Sequence, residues 1–195
     1  MDFAGRTLIL RLNDAPLDEF STLLADLTFL VEHNVRPIVV ASSRDGARAV
    51  VCAMNRSADI GVGVSGADAG FIPAVPPAHI GTVQPKLLQT LSAAGYIPVV
   101  EPFALAMGGT EVPMAADDVA GAIGCATDAA RAIFFHTLGG VVDPLTDDMF
   151  NELTPAEALT LAEAEHFPAD LRSAMRAAAL GVRGGVEKAQ IVDGR

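Results

Sequence analysis

Apolar residues at Leu17, Phe20, Leu23, Leu24, Leu27, Leu30 and Val31 recur at helical spacing and predict a helix over 17–33. Ahead of it, 7–12 is a short apolar strand candidate, and N-D-A-P at 13–16 is a turn whose Asn or Asp can cap that helix. Further mainly apolar runs predict strands over 37–41, 60–64, 96–102, 132–135 and 189–192. Helices are expected from 42–46 onward to about 56, over 85–95, over 116–130, from 154 onward and over 168–180. T-P-A-E at 154–157 has the form of a capping box with proline at the first helical position, and Gly184-Gly185 breaks the last helix. V-P-P-A-H at 75–79 suits neither a helix nor a central strand, because proline lacks a donor and fixes φ; it reads as a surface excursion. For the same reason Pro98 is expected to leave the beginning of its strand clear of the ladder.

Strands that are apolar rather than alternating, interleaved with helices, predict an α/β fold: a mainly parallel sheet covered on both faces. No repeat, low-complexity stretch or linker divides the chain, so 1–195 is expected to form a single domain. At 195 residues such a chain buries about 70% of the surface it exposes when unfolded, enough for a core without disulfides or metal. In sheets of this kind ligands bind beyond the C-terminal ends of the strands.

Composition narrows the function. Lys and Arg number 13 against 24 Asp and Glu, and a net charge of −11 argues against a nucleic-acid partner. Mean hydropathy is +0.39, yet no apolar run nears the length of about 18 that spans a bilayer. The start M-D-F-A-G-R lacks the features of a secretory signal, and Cys52 and Cys125 are too few for a disulfide framework. A reducing cytoplasm is the expected setting. His33, His79, His136 and His166 show no metal-ligand spacing, and E-A-E-H at 163–166 reads as a solvated helix face. G-V-G-V-S-G at 61–66 lacks the acidic residue about 20 positions later that a dinucleotide site requires, and G-V-S-G-A at 63–67 breaks the nucleophile-elbow pattern at its last position. Arg172, Arg176, Arg183, Lys188 and Arg195 are either an anion-binding edge or simply solvated.

Six strings, in order, resemble the amino-acid-kinase family and within it the N-acetylglutamate kinases: V-S-G-A-D-A-G at 64–70, G-Y-I-P-V-V-E-P at 95–102, A-D-D-V-A-G-A-I-G at 116–124, G-V-V-D at 140–143, E-L-T-P-A-E-A at 152–158 and G-G-V-E-K-A-Q-I-V-D-G-R at 184–195. The resemblance implies a three-layer αβα sandwich, a carboxylate substrate, ATP with magnesium, an acyl phosphate product and assembly as a homo-oligomer or with a partner subunit. It also implies that the chain is shortened relative to the family, ending before the family's last helix.

The resemblance assigns residues as well. Asp117 matches the aspartate that orients the family's lysines, and Arg11 and Arg172 are the nearest cations where those lysines would stand. Ser42, Ser43 and Arg44 replace a glycine loop, with Ser65 and Gly66 beside them on the substrate and phosphate side. Pro113 stands where the family has a substrate-binding Asn. His136 and Thr137 replace a Thr-Asp pair at the nucleotide edge, next to Gly140. From its residue type alone, Asp117 is equally readable as a helix cap. Keeping the fold strings while replacing the phosphate-handling ones points to a catalytically degenerate relative that binds a small anionic metabolite or a partner subunit. The alternative is an active kinase using Arg11 and Arg172.

Overall fold

The computed structural model describes residues 3–13, 21–77 and 79–193. Six strands form one parallel sheet in the order β10-β9-β1-β2-β6-β3: β1 Thr7–Arg11, β2 Arg36–Val40, β3 Gly61–Ser65, β6 Ile97–Glu101, β9 Arg131–His136 and β10 Ala189–Asp193. Successive side chains enter opposite layers. Ile9, Ile38, Val40 and Val100 pack with α3 (Lys86–Ala93), α4 (Ala116–Ala126) and α6 (Ala169–Arg183). Leu8, Leu10, Val39, Ile97 and Val99 pack with α1 (Ser21–Glu32) and α2 (Arg44–Met54) on the other face. This is the expected three-layer αβα sandwich. A third cluster joins α5 (Pro155–Ala162) to α6 through Ala162, Phe167, Leu171 and Met175.

Local signals set several boundaries. Thr154 and Glu157 form the reciprocal capping box that opens α5, and Gly184 ends α6. Asp14 to Phe20, with the expected turn and first part of the first helix, lie outside the described residues. The helix expected over 116–130 stops at Ala126, and Asp128 takes φ +47° in the turn to β9. E-A-E-H at 163–166 is not a helix face, because α5 ends at Ala162. His166 instead lies 3.7 Å from Asp143.

Pro98 interrupts the ladder on one side only. Ile97 N–H donates to Ile60 O, so backbone alternation turns the Pro98 nitrogen toward β2. On that side pairing begins at Val99, whereas on the β3 side Ile97 and Pro98 are both in register. The missing donor therefore faces the place where no bond is made.

Two short antiparallel ribbons lie outside the main sheet. One pairs β4 (Ala74–Val75) with β5 (His79–Ile80), within the expected excursion. The other, β7 (Phe103–Leu105) with β8 (Glu111–Pro113), had a signal in Gly108-Gly109, which turn at φ +108° and +84°. Among the described residues no helix is long and apolar enough to cross a membrane.

Candidate functional site

Because the sheet is parallel, the C-terminal ends of its strands share one edge, and most of the residues singled out in the sequence reach it. Arg11 ends β1, Ser42 and Ser43 link β2 to α2, Ser65 ends β3 and His136 ends β9. Asp117 lies in the first turn of α4.

Arg11 and Asp117 meet there. Arg11 Nε is 2.6 Å from Asp117 Oδ1, with the two side chains only 18% and 10% exposed. The contact has ion-pair distance without hydrogen-bond alignment. Arg11 Nη1 donates to Leu12 O at 2.8 Å and to Ser42 Oγ at 3.2 Å, and Ser42 Oγ donates to Leu12 O at 2.8 Å. Among the described residues no hydrogen bond or ion pair takes up Nη2. Asp117 is thus directed at Arg11, and α4 has no side-chain cap. Next to it the Asp118 carboxyl is raised above its ordinary value, by partial desolvation first and by the Asp117 charge second, although the residue as a whole stays exposed.

A second group gathers around Arg44. Its Nε lies 2.6 Å from Glu101 Oε2, its Nη2 lies 2.7 Å from Glu111 Oε2, and its guanidinium sits 4.2 Å above the Phe103 ring. The other Glu111 oxygen accepts from Ser65 Oγ. The Ser65 hydroxyl first, then Arg44, hold the Glu111 carboxyl below its ordinary value. Ser43 caps α2 by accepting Gly46 N–H at 3.0 Å. Gly66 is needed for packing: a Cβ there would lie 2.1 Å from Phe103 O and 2.7 Å from Ile72 Cβ.

The remaining candidates do not join these groups. His136 Nδ1 accepts Leu138 N–H at 3.2 Å, which puts the ring proton on Nε2, 3.1 Å from Asp170 Oδ2. Thr137 is exposed in the following turn, Gly140 is buried at φ +154°, and Pro113 is exposed opposite Phe103. Arg172 Nε is buried without a hydrogen-bond partner, and no ion pair ties Arg172 to Asp117. Arg176 pairs with Glu163, Arg183 closes the far end of α6, and Lys188 lies beyond the helix, just before β10, so these cations are spread over α6 and the segment after it. Arg195 lies outside the described residues.

Glu101, Glu111 and Asp170 were not singled out in the sequence. Glu101 had a signal, since it ends a buried strand where sites of this fold collect. Beyond the end of β9, a groove of about 470 Å³ runs between α5, α6 and β10, with Gly139, Gly140, Val141, Met149, Met175 and Ile191 in its walls. Its walls are mixed, with Asn151, Glu152, Glu187, Lys188 and Gln190 beside the apolar residues, and they include Gly140 but none of the Arg11 and Arg44 pairs.

Residues 46–193 match the amino acid kinase family. The chain is 32% identical over 152 residues to an acetylglutamate kinase of Methanothrix thermoacetophila, covering 69% of this chain and 53% of that protein. To an acetylglutamate kinase of Symbiobacterium thermophilum it is 27% identical over 204 aligned positions, covering 95% of this chain and 64% of the relative. The chain therefore spans 53% and 64% of the length of these relatives. The N-acetylglutamate synthase of Neisseria gonorrhoeae, solved with coenzyme A and N-acetyl-glutamate, superposes with a TM-score of 0.78 at 18% identity, over 98% of this chain and 55% of that one. The structure of smu.665 from Streptococcus mutans UA159 superposes with a TM-score of 0.84 at 11% identity, over 97% of this chain and 95% of its own. At those identities the two structures share its fold. With the sheet, the layers and a sequence match over most of its length in agreement, the chain belongs to the amino acid kinase family.

Proposed function

We propose that this chain binds a small carboxylate metabolite of the acyl-amino-acid type at the C-terminal edge of its sheet and does not phosphorylate it at enzymatic rates. The observation that carries the reading is the state of the edge cations: Arg11 is held by Asp117, and Arg44 by both Glu101 and Glu111. Phosphoryl transfer depends on cations and backbone donors that are preorganised for the transferred group.

The residues present do not fit ATP with magnesium. Neither of the two lysines stands at the end of β1 or in the first turn of α6: Lys86 begins α3 and Lys188 precedes β10. The N-terminus of α2 is capped by Ser43 and carries Asp45 in its first turn. A triphosphate arriving at the edge would meet Glu101, Glu111, Asp117 and Asp118. Losing one charge-stabilising donor typically costs about 10²–10³ in rate, so several lost together leave little transfer, even without additivity.

A single carboxylate asks for less. Arg11 keeps Nη2 for one ligand oxygen, and relatives of this chain are acetylglutamate kinases. A second reading, an active kinase with Arg11 and Arg172 in place of lysines, draws on the same Arg11–Asp117 pair.

Thermal unfolding tests the binding reading. Acetylglutamate at about 100 times its Kd adds about 2.7 kcal/mol of stability and should raise Tm by several degrees. ATP with magnesium should leave Tm unchanged. A shift with ATP and none with acetylglutamate would reverse the assignment.

A further inference from the structure

Glu111 is held in the way a protein holds a bound carboxylate. Its two oxygens go to different donors from different segments: Oε2 to Arg44 Nη2 at the start of α2, and Oε1 to Ser65 Oγ at the end of β3. Arg44 is further oriented by Glu101 and by stacking on Phe103. Converging charged and neutral donors of this kind hold an oxyanion through charge-assisted hydrogen bonds, and the one held here is a carboxylate. Ser65 is itself fixed, being only 8% exposed, with its N–H donating to Asp68 at 2.7 Å.

Glu111, by contrast, comes from outside the main sheet. It sits on the two-stranded ribbon that turns at Gly108-Gly109, and its contact with Arg44 is half open to solvent, the side chains being 48% and 33% exposed. Water screens such a pair, so it adds little to stability and is easily exchanged. The buried Arg11–Asp117 pair is not. An incoming carboxylate will therefore take Arg44 from Glu111 before it takes Arg11 from Asp117.

We infer that Arg44 and Ser65 form a carboxylate-binding cradle whose resident occupant is Glu111, and that an acyl-amino-acid ligand binds by displacing it. The inference rests on the proposed function and adds a second carboxylate anchor at the same sheet edge as Arg11. The low proton affinity of the Glu111 carboxyl keeps it ionised near neutral pH, so it competes throughout that range. The Ser65 hydroxyl, placed by the family resemblance on the substrate and phosphate side, acts here as a carboxylate donor.

Calorimetric titration with N-acetyl-L-glutamate on the wild type, on Glu111→Gln and on the double variant Arg44→Gln/Glu111→Gln decides the matter. Glu111→Gln removes the competing charge and should bind about tenfold tighter than wild type, because a like charge facing the ligand is gone. The double variant should lose that gain. Wild-type binding with Glu111→Gln equal or weaker overturns the cradle and leaves the proposed function standing. No binding by any of the three overturns both. If Glu111→Gln lacks a cooperative melt, the wild type still answers: the Arg44 Nε–H resonance must move as acetylglutamate is added, and a stationary resonance contradicts the displacement.

Discussion

Asp117→Ala is expected to destabilise the protein by about 3–5 kcal/mol, measured by urea unfolding, because it strands the buried Arg11 guanidinium without its counter-charge. The size of the effect comes from burial. Exposed pairs such as Arg176 with Glu163 contribute little, since water solvates each partner as well as the other does. In Arg11 and Asp117 little solvent remains to take over, and Nη1 keeps Arg11 tied to Leu12 O and Ser42 after the carboxylate is gone. The double replacement Arg11→Met/Asp117→Leu should recover most of the loss, because removing both charges leaves no unpaired one. A loss under about 1 kcal/mol for Asp117→Ala would mean that the pair is solvated and that Arg11 is not held as described.

Gly66→Ala is the second large effect, with an expected loss of at least the about 1–3 kcal/mol typical of overpacking. The new Cβ would meet Phe103 O at 2.1 Å, and a backbone carbonyl cannot rotate away as a side chain can. Ile72, at 2.7 Å, is equally fixed: it is fully buried, its N–H donates to Gly66 O, and its C=O accepts Leu105 N–H. Relief requires moving the β7–β8 ribbon, which carries Glu111 away from Ser65. Gly63→Ala is the matched control in the same strand, where the nearest atom to an added Cβ is Val51 Cγ2 at 3.5 Å, an ordinary contact. Comparable melting temperatures for the two variants would show that Gly66 is not packed as described.

These effects mark what could be read in the sequence and what could not. The layers were legible because runs such as those containing Leu8, Ile9 and Leu10 are apolar on both faces, which only a doubly covered strand requires. The capping box at Thr154 and the break at Gly184 were legible because each acts within a few residues. Pro98 showed that a donor was missing, but which side of the strand it faced depended on β6 lying between β2 and β3.

The contacts of the candidate site were legible only where family resemblance supplied them. Arg11 with Asp117 came from that source. The pairs made by Arg44 join residues 57 and 67 positions apart, and they form because the sheet order brings β2, β3 and β6 side by side. No local spacing encodes such an encounter. The same holds for His136 and Asp170, brought together by the end of β9 and the first turn of α6. Fold strings and pairing partners therefore carry separate information, and the second decides whether the edge cations are free to meet a phosphate.

The most direct measurement is steady-state phosphorylation of acetylglutamate by ATP with magnesium, followed by ADP release. With Arg11 held in a buried pair by Asp117, and neither lysine at the end of β1 or in the first turn of α6, ADP should appear no faster than in a control without protein. Turnover above about 1 s⁻¹, within the ordinary range of enzymes, would contradict the account and restore the kinase reading.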